Sequence, residues 1–160
     1  MTSQRFVVRH RRTVAAVGAV GAGLLVLSAC DKPTPLATVT VGRSSVNSEA
    51  NCYKDGKALK PTSLKACLTD KHIKSIKVDP DATVRFGVEP AIADKSWTIL
   101  MNGQPLTDAS KKTYRTVPGS VFFNQQYGAT GSSTTVTILE GSGAKAYGLW
   151  SFKLKKDSDS

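Results

Sequence analysis

Thr134-Thr135-Val136-Thr137-Ile138-Leu139, then Glu140-Gly141-Ser142-Gly143, then Tyr147-Gly148-Leu149-Trp150-Ser151-Phe152-Lys153-Leu154, is the stretch whose reading decides the fold. β-Branched residues dominate the first run, which favours a strand over a helix. The tetrapeptide Glu140 to Gly143 reads as a loop, and the run from Tyr147 returns, so the three pieces predict an antiparallel hairpin. Trp150, Phe152 and Leu154 stand two residues apart and therefore share one face, which gives the returning strand a definite inner side.

Working outward from this hairpin, the same period of two recurs. Ala37, Val39 and Val41 alternate with Thr38 and Thr40, and Val84, Phe86 and Val88 alternate with Thr83, Arg85 and Gly87. Ile76 and Val78 lead into the turn Asp79-Pro80-Asp81. Trp97 to Met101 reads as a strand that stops at Asn102-Gly103, the strongest two-residue hairpin sequence in the chain. Thr113 to Val117 reads as a strand ending at Pro118-Gly119, while Ser120 to Tyr127 is open between a short helix capped by Ser120 and an extended segment. Pro61-Thr62-Ser63 precedes Leu64, Cys67 and Leu68, whose spacing predicts one short helix turning Cys67 toward the core. Seven or eight short strands separated by turns predict a mainly β chain, a small antiparallel β-sandwich of Ig-like architecture with one short helix, spanning 37–156 before a polar tail at 157–160.

The first thirty residues have another logic. Arg5, Arg9, Arg11 and Arg12 precede an uncharged run of Ala, Val, Gly and Leu from Thr13 to Leu27, and no acid appears before Asp31. That is the layout of an export signal, and the run is shorter than the roughly 20 residues of a bilayer span. The Arg11-Arg12 pair leaves open whether export is general or twin-arginine. Leu27-Ser28-Ala29-Cys30 resembles the lipobox of bacterial lipoproteins. The resemblance implies lipidation of the Cys30 thiol, cleavage before it by the lipoprotein-processing machinery, and a signal peptide at 1–29. Cys30 and a proline-bearing tether would then occupy 30–36. Two or three acyl chains, such as palmitate, would hold the protein stably on the extracytoplasmic face of the cell membrane, since one chain anchors only marginally.

Removing 1–29 takes away four arginines and no acid, leaving 18 basic against 12 acidic residues and a net charge of +6. This surface suits anionic lipid or anionic envelope polymers; the lysines are scattered among acids, so it does not point to nucleic acid. With Cys30 assigned to lipid, Cys52 and Cys67 remain, and an even pair outside the cytoplasm predicts a disulfide.

Chemistry-bearing residues are few. A copper site of the blue type needs two histidines and a free thiolate, whereas the mature chain has only His72 and Met101 for soft or imidazole ligation, so neither metal nor cofactor is expected. Ser142-Gly143-Ala144-Lys145 fits the S-x-x-K pattern of serine enzymes, but in a glycine-rich loop and not at a helix start. Serine–histidine–acid catalysis would have to use His72, which sits in a Lys-His-Ile-Lys run, and no paired-carboxylate motif stands out. Trp97, Tyr114, Tyr127, Tyr147 and Trp150 are candidate binding aromatics for a sugar or peptide groove, set against the ordinary role of strand aromatics as core.

The mature chain as a whole resembles uncharacterised lipoproteins of actinobacteria, of the streptomycete kind. The residues behind this are the lipobox with Asp31-Lys32-Pro33-Thr34-Pro35, the segment Lys77 to Val88, Met101-Asn102-Gly103-Gln104-Pro105-Leu106, and the Gly148-Leu149-Trp150-Ser151-Phe152 ending. The resemblance implies actinobacterial origin and surface anchoring, and carries no activity, ligand or catalytic residue. The expectation is a membrane-anchored, non-enzymatic binding or envelope-accessory module. A small cell-wall or peptide hydrolase is the alternative, and would need His72 in a cleft beside an acid and a hydroxyl.

Overall fold

A computed structural model describes residues 33–142 and 145–158. The segment expected to be a signal peptide, Cys30 and the S-x-x-K residues Gly143 and Ala144 lie outside the described residues.

Two antiparallel sheets face each other. The smaller has the order β2-β1-β5-β8, built from β1 (Ala37–Val41), β2 (Ser44–Ser48), β5 (Thr83–Val88) and β8 (Tyr114–Pro118). The larger has the order β3-β10-β9-β6-β7, from β3 (Cys52–Tyr53), β6 (Trp97–Met101), β7 (Gln104–Pro105), β9 (Ser133–Ser142) and β10 (Lys145–Lys156). β4 (Lys74–Val78) adds to the far half of β10 in parallel, Phe152 opposite Lys74 and Lys156 opposite Val78. This is the small β-sandwich that the alternation predicts. Alternate residues of both sheets meet in one core: Val39, Phe86 and Val88 from the smaller sheet, Trp97, Ile99, Ile138, Trp150, Phe152 and Leu154 from the larger. The described residues hold ten strands, more than the seven or eight expected, because β2, β3 and β7 are short and polar or only two residues long.

The Asn102-Gly103 turn has φ of 49° and 83°, the doubly positive geometry that matches a hairpin's twist. α1 (Pro61–Leu68) starts on Pro61 and buries Cys67, as its spacing predicts. Cys67 is joined to Cys52 with Cα atoms 5.9 Å apart, so the disulfide ties α1 to the strand opposite Leu149 of β10. The segment left open from Ser120 forms two short 3-10 turns, Gly119–Phe123 and Gln125–Tyr127. The first buries Phe122 against Phe86, ring centroids 5.8 Å apart.

One reading is corrected. Glu140 to Ser142 do not form a loop: β9 runs through them to Ser142. Gly141 pairs with Ala146 and Glu140 with Gly148, so Tyr147 is the extra residue of a β-bulge that carries the ladder past the glycine. A Cβ on Gly141 would stand 2.0 Å from the Lys145 carbonyl oxygen, and its φ is +120°, so the bulge needs glycine there. The tether, for its part, is held along the fold from Thr34 onward. Ala50 N donates to Thr34 Oγ1 (2.8 Å), Trp150 Nε1 to the Pro35 carbonyl (2.7 Å) and Glu89 N to the Leu36 carbonyl (3.1 Å).

Candidate functional site

The chain enters the sandwich at the pole where β5 ends, β6 begins and the bulge of β9 and β10 lies. Between β5 and β6 the chain makes one turn of helix, α2 (Pro90–Ala93), which Pro90 opens and which buries Ile92 and Ala93 in the core. Ser96 then takes φ of 60°, a left-handed conformation that L residues other than Gly, Asn and Asp seldom adopt. Its N–H donates to the Ala93 carbonyl (2.9 Å) and its carbonyl accepts from Gly141 N (2.8 Å), which fixes the switch from helix to strand. Trp97 follows into the core, its Nε1 donating to the Lys112 carbonyl at 2.7 Å.

Lys95, just before that switch, turns inward to Glu140. Glu140 continues the even-numbered inner face of Thr134, Val136 and Ile138, opposite Trp97, and is 0% exposed. Its Oε1 lies 3.5 Å from Lys95 Nζ, and among the described residues neither carboxylate oxygen accepts a hydrogen bond. Burial raises its pKa from the ordinary glutamate value, and the Lys95 charge pulls it partly back. The same ammonium lies 4.8 Å from the centroid of the Tyr147 ring, a cation–π distance made available because the bulge frees Tyr147 from the regular ladder. On its other side is the Asp55-Gly56 turn, with φ of 44° and 74°. A Cβ on Gly56 would stand 2.6 Å from Lys95 Nζ, so glycine is needed for the ammonium's approach as well as for the backbone.

These elements enclose a cavity of about 370 Å³ lined by Pro33, Pro35, Tyr53, Asp55, Gly56, Glu89, Ala91 and Lys95. Prolines, Ala91 and the Tyr53 ring supply apolar wall; Tyr53 is held by Trp150, ring centroids 6.1 Å apart. Two of the three non-glycine residues with positive φ, Asp55 and Ser96, flank this cavity, and the third, Asn102, is in the hairpin turn. Backbone strain of this kind persists where the surroundings over-determine it, and it clusters at binding and catalytic sites.

The aromatics singled out from the sequence do not assemble into one groove. Trp97 and Trp150 are fully buried core residues, each with its indole N–H bonded to a carbonyl. Tyr147 belongs to the Lys95 cluster. Tyr114, 68% exposed, lines a separate depression with Ser110, Lys112, Arg115 and Thr116, and Tyr127 is 54% exposed on the second 3-10 turn. The His72 side chain is fully exposed, its Nδ1 3.5 Å from Asp70 Oδ1. Asp70 accepts from the His72 backbone N–H and from Asn51 Nδ2, which lowers its pKa. Among the described residues no hydroxyl hydrogen-bonds to His72, and no three His, Cys, Asp or Glu side chains converge as metal ligands.

Sequence reasoning overlooked Lys95, Glu140, Asp55 and Glu89. One cue for Glu140 was present: it keeps the parity of Val136 and Ile138, which marks an inward residue once the strand is taken through it. Compared with known proteins, the chain matches no family model, no curated protein and no solved structure.

Proposed function

We propose that the chain is an extracytoplasmic lipoprotein, anchored through lipid on Cys30, that works as a non-enzymatic binding module through the cavity beside its tether. The observation that carries this reading is the placement of Pro33 and Pro35 in the cavity wall. Pro33 is the third residue after the lipobox cysteine, so at about 3.5 Å per residue covalent geometry limits the anchor to about 10 Å from the rim. A ligand taken there would be held next to the membrane surface. A cavity of this volume lies in the range of small-molecule sites, and it is built on sheet ends braced by the core, which holds the lining in place with little reorganisation. The exposed position of His72 supports binding over hydrolysis.

The anchoring half is tested by mass spectrometry of the intact protein from its native membrane, beside a Cys30→Ser variant. A mass of residues 30–160 plus diacylglycerol or more, with the variant unlipidated and released from or unprocessed in the membrane fraction, is expected. An unlipidated, full-length parent chain would refute it.

A further inference from the structure

We infer that the cavity at the tether pole takes an organic cation, an alkylammonium group whose carbon chain rests on Pro33, Pro35 and Tyr53; the inference rests on the binding reading proposed above. The mature chain carries a net charge of +6, yet this cavity has the opposite sign. Its lining holds two carboxylates, Asp55 and Glu89, against one ammonium, Lys95. Asp70 is held by Asn51 and the His72 N–H, Asp79 by the Asp81 N–H and Asp157 by Lys77, whereas Glu49, Asp81, Asp94 and Asp108 have no side-chain partner among the described residues but line no part of this cavity. Among the described residues Asp55 and Glu89 have no side-chain hydrogen bond or ion pair, although 18 basic residues are available to the mature chain.

Lys95 does not neutralise them, because it is already engaged from behind. Its ammonium faces the Glu140 carboxylate at 3.5 Å and the Tyr147 ring at 4.8 Å, and Gly56 closes over it. Glu140 lies behind the cavity wall and outside its lining: it is a fully buried carboxylate whose charged neighbour among the described residues is the Lys95 ammonium. It holds Lys95 back from the opening, so an anion would have to compete with Glu140 for that ammonium, whereas a cation meets two unpaired carboxylates and an aromatic face. Charge-assisted hydrogen bonds to carboxylate and a ring within reach of the cation are the two interactions that select ammonium ions.

The test titrates the purified full-length chain with n-butylammonium, n-butanol and butyrate, following the backbone amide resonances of Gly56 and Lys95. Butylammonium is expected to shift both saturably, about tenfold more tightly than butanol. The Asp55→Asn, Glu89→Gln double variant is expected to lose about tenfold in affinity for it. Both residues are exposed, and Asn tolerates the left-handed conformation at position 55, so the variant keeps the fold; unchanged chemical-shift dispersion checks this. Tighter binding of butyrate, or equal binding of butylammonium by the double variant, overturns the cation assignment while leaving the cavity a binding site. Failure of all three probes to move Gly56 and Lys95 removes the cavity as a ligand site altogether.

Discussion

At the scale of single residues, Glu140 has the largest consequence. A carboxylate in the inner face of a sandwich loses its hydration, and one partly exposed lysine at 3.5 Å restores only part of what was lost. Its folded pKa therefore lies above its unfolded one. Between the two values the folded chain holds a proton that the unfolded chain has released, so stability falls as pH rises through that window. Thermal melts from about pH 4 to 8 should show the parent's melting temperature declining above the ordinary carboxylate range. Glu140→Gln should lack that limb; parallel profiles for the two chains would mean that Glu140 ionises normally. Gly141, Tyr147 and Gly56 matter through the same group. The first permits the bulge, the second fills it beneath Lys95, and the third makes room for the ammonium.

Elements show why the cavity is where it is. β10 is the longest strand, and it is shared: β9 along one side, β3 and then parallel β4 along the other. Its first half organises the tether pole, through Trp150 bonded to Pro35 and Gly148 pressed between Tyr53 and Trp150. β3 is only two residues long and could not hold its place by its own ladder. The disulfide from Cys52 to Cys67 and the packing of α1 hold it there. Closing a loop with a sequence separation of 15 should contribute about 3 kcal/mol by restricting the unfolded chain. Urea unfolding of a Cys52→Ser, Cys67→Ser variant should show that loss. A difference below about 0.5 kcal/mol would mean that β3 and α1 hold without the bridge. Because Tyr53 follows Cys52 directly, the same variant should also loosen the cavity wall.

For the whole molecule, the deciding fact is that both sheets contribute to one core. Ile92 from α2 and Phe122 from the 3-10 turn plug it at its margins, and no second cluster of comparable size is present among the described residues. A core of this kind unfolds as a unit. Far-ultraviolet circular dichroism, reporting strands, and tryptophan fluorescence, reporting buried Trp97 and Trp150 of the larger sheet, should therefore give coincident transitions. Loss of fluorescence ahead of the strands would show that the larger sheet opens independently. The anchoring proposal also belongs to this scale, because it sets the cavity at the membrane side of the molecule.

Period-two alternation in β1, β5 and β10, with the β-branched run of β9 and the apolar run of β6, was enough to determine a sandwich. Burying the inner face of each such strand requires a second sheet, and a one-residue slip would expose the whole set. The Asn102-Gly103 turn, the helix opened by Pro61 and the pairing of Cys52 with Cys67 were legible for similarly local reasons: a turn geometry, a start residue and an even count of thiols. Tertiary structure alone decided the site. The parallel pairing of β4 with β10 and the meeting of Pro33, Asp55, Glu89 and Lys95 join residues far apart in the chain, and no local pattern encodes which loops share a pole. Glu140 was read as a loop residue because a glycine follows it. Only the bulge opposite, with Tyr147 displaced from the ladder, carries the strand past that glycine and seals the carboxylate inside.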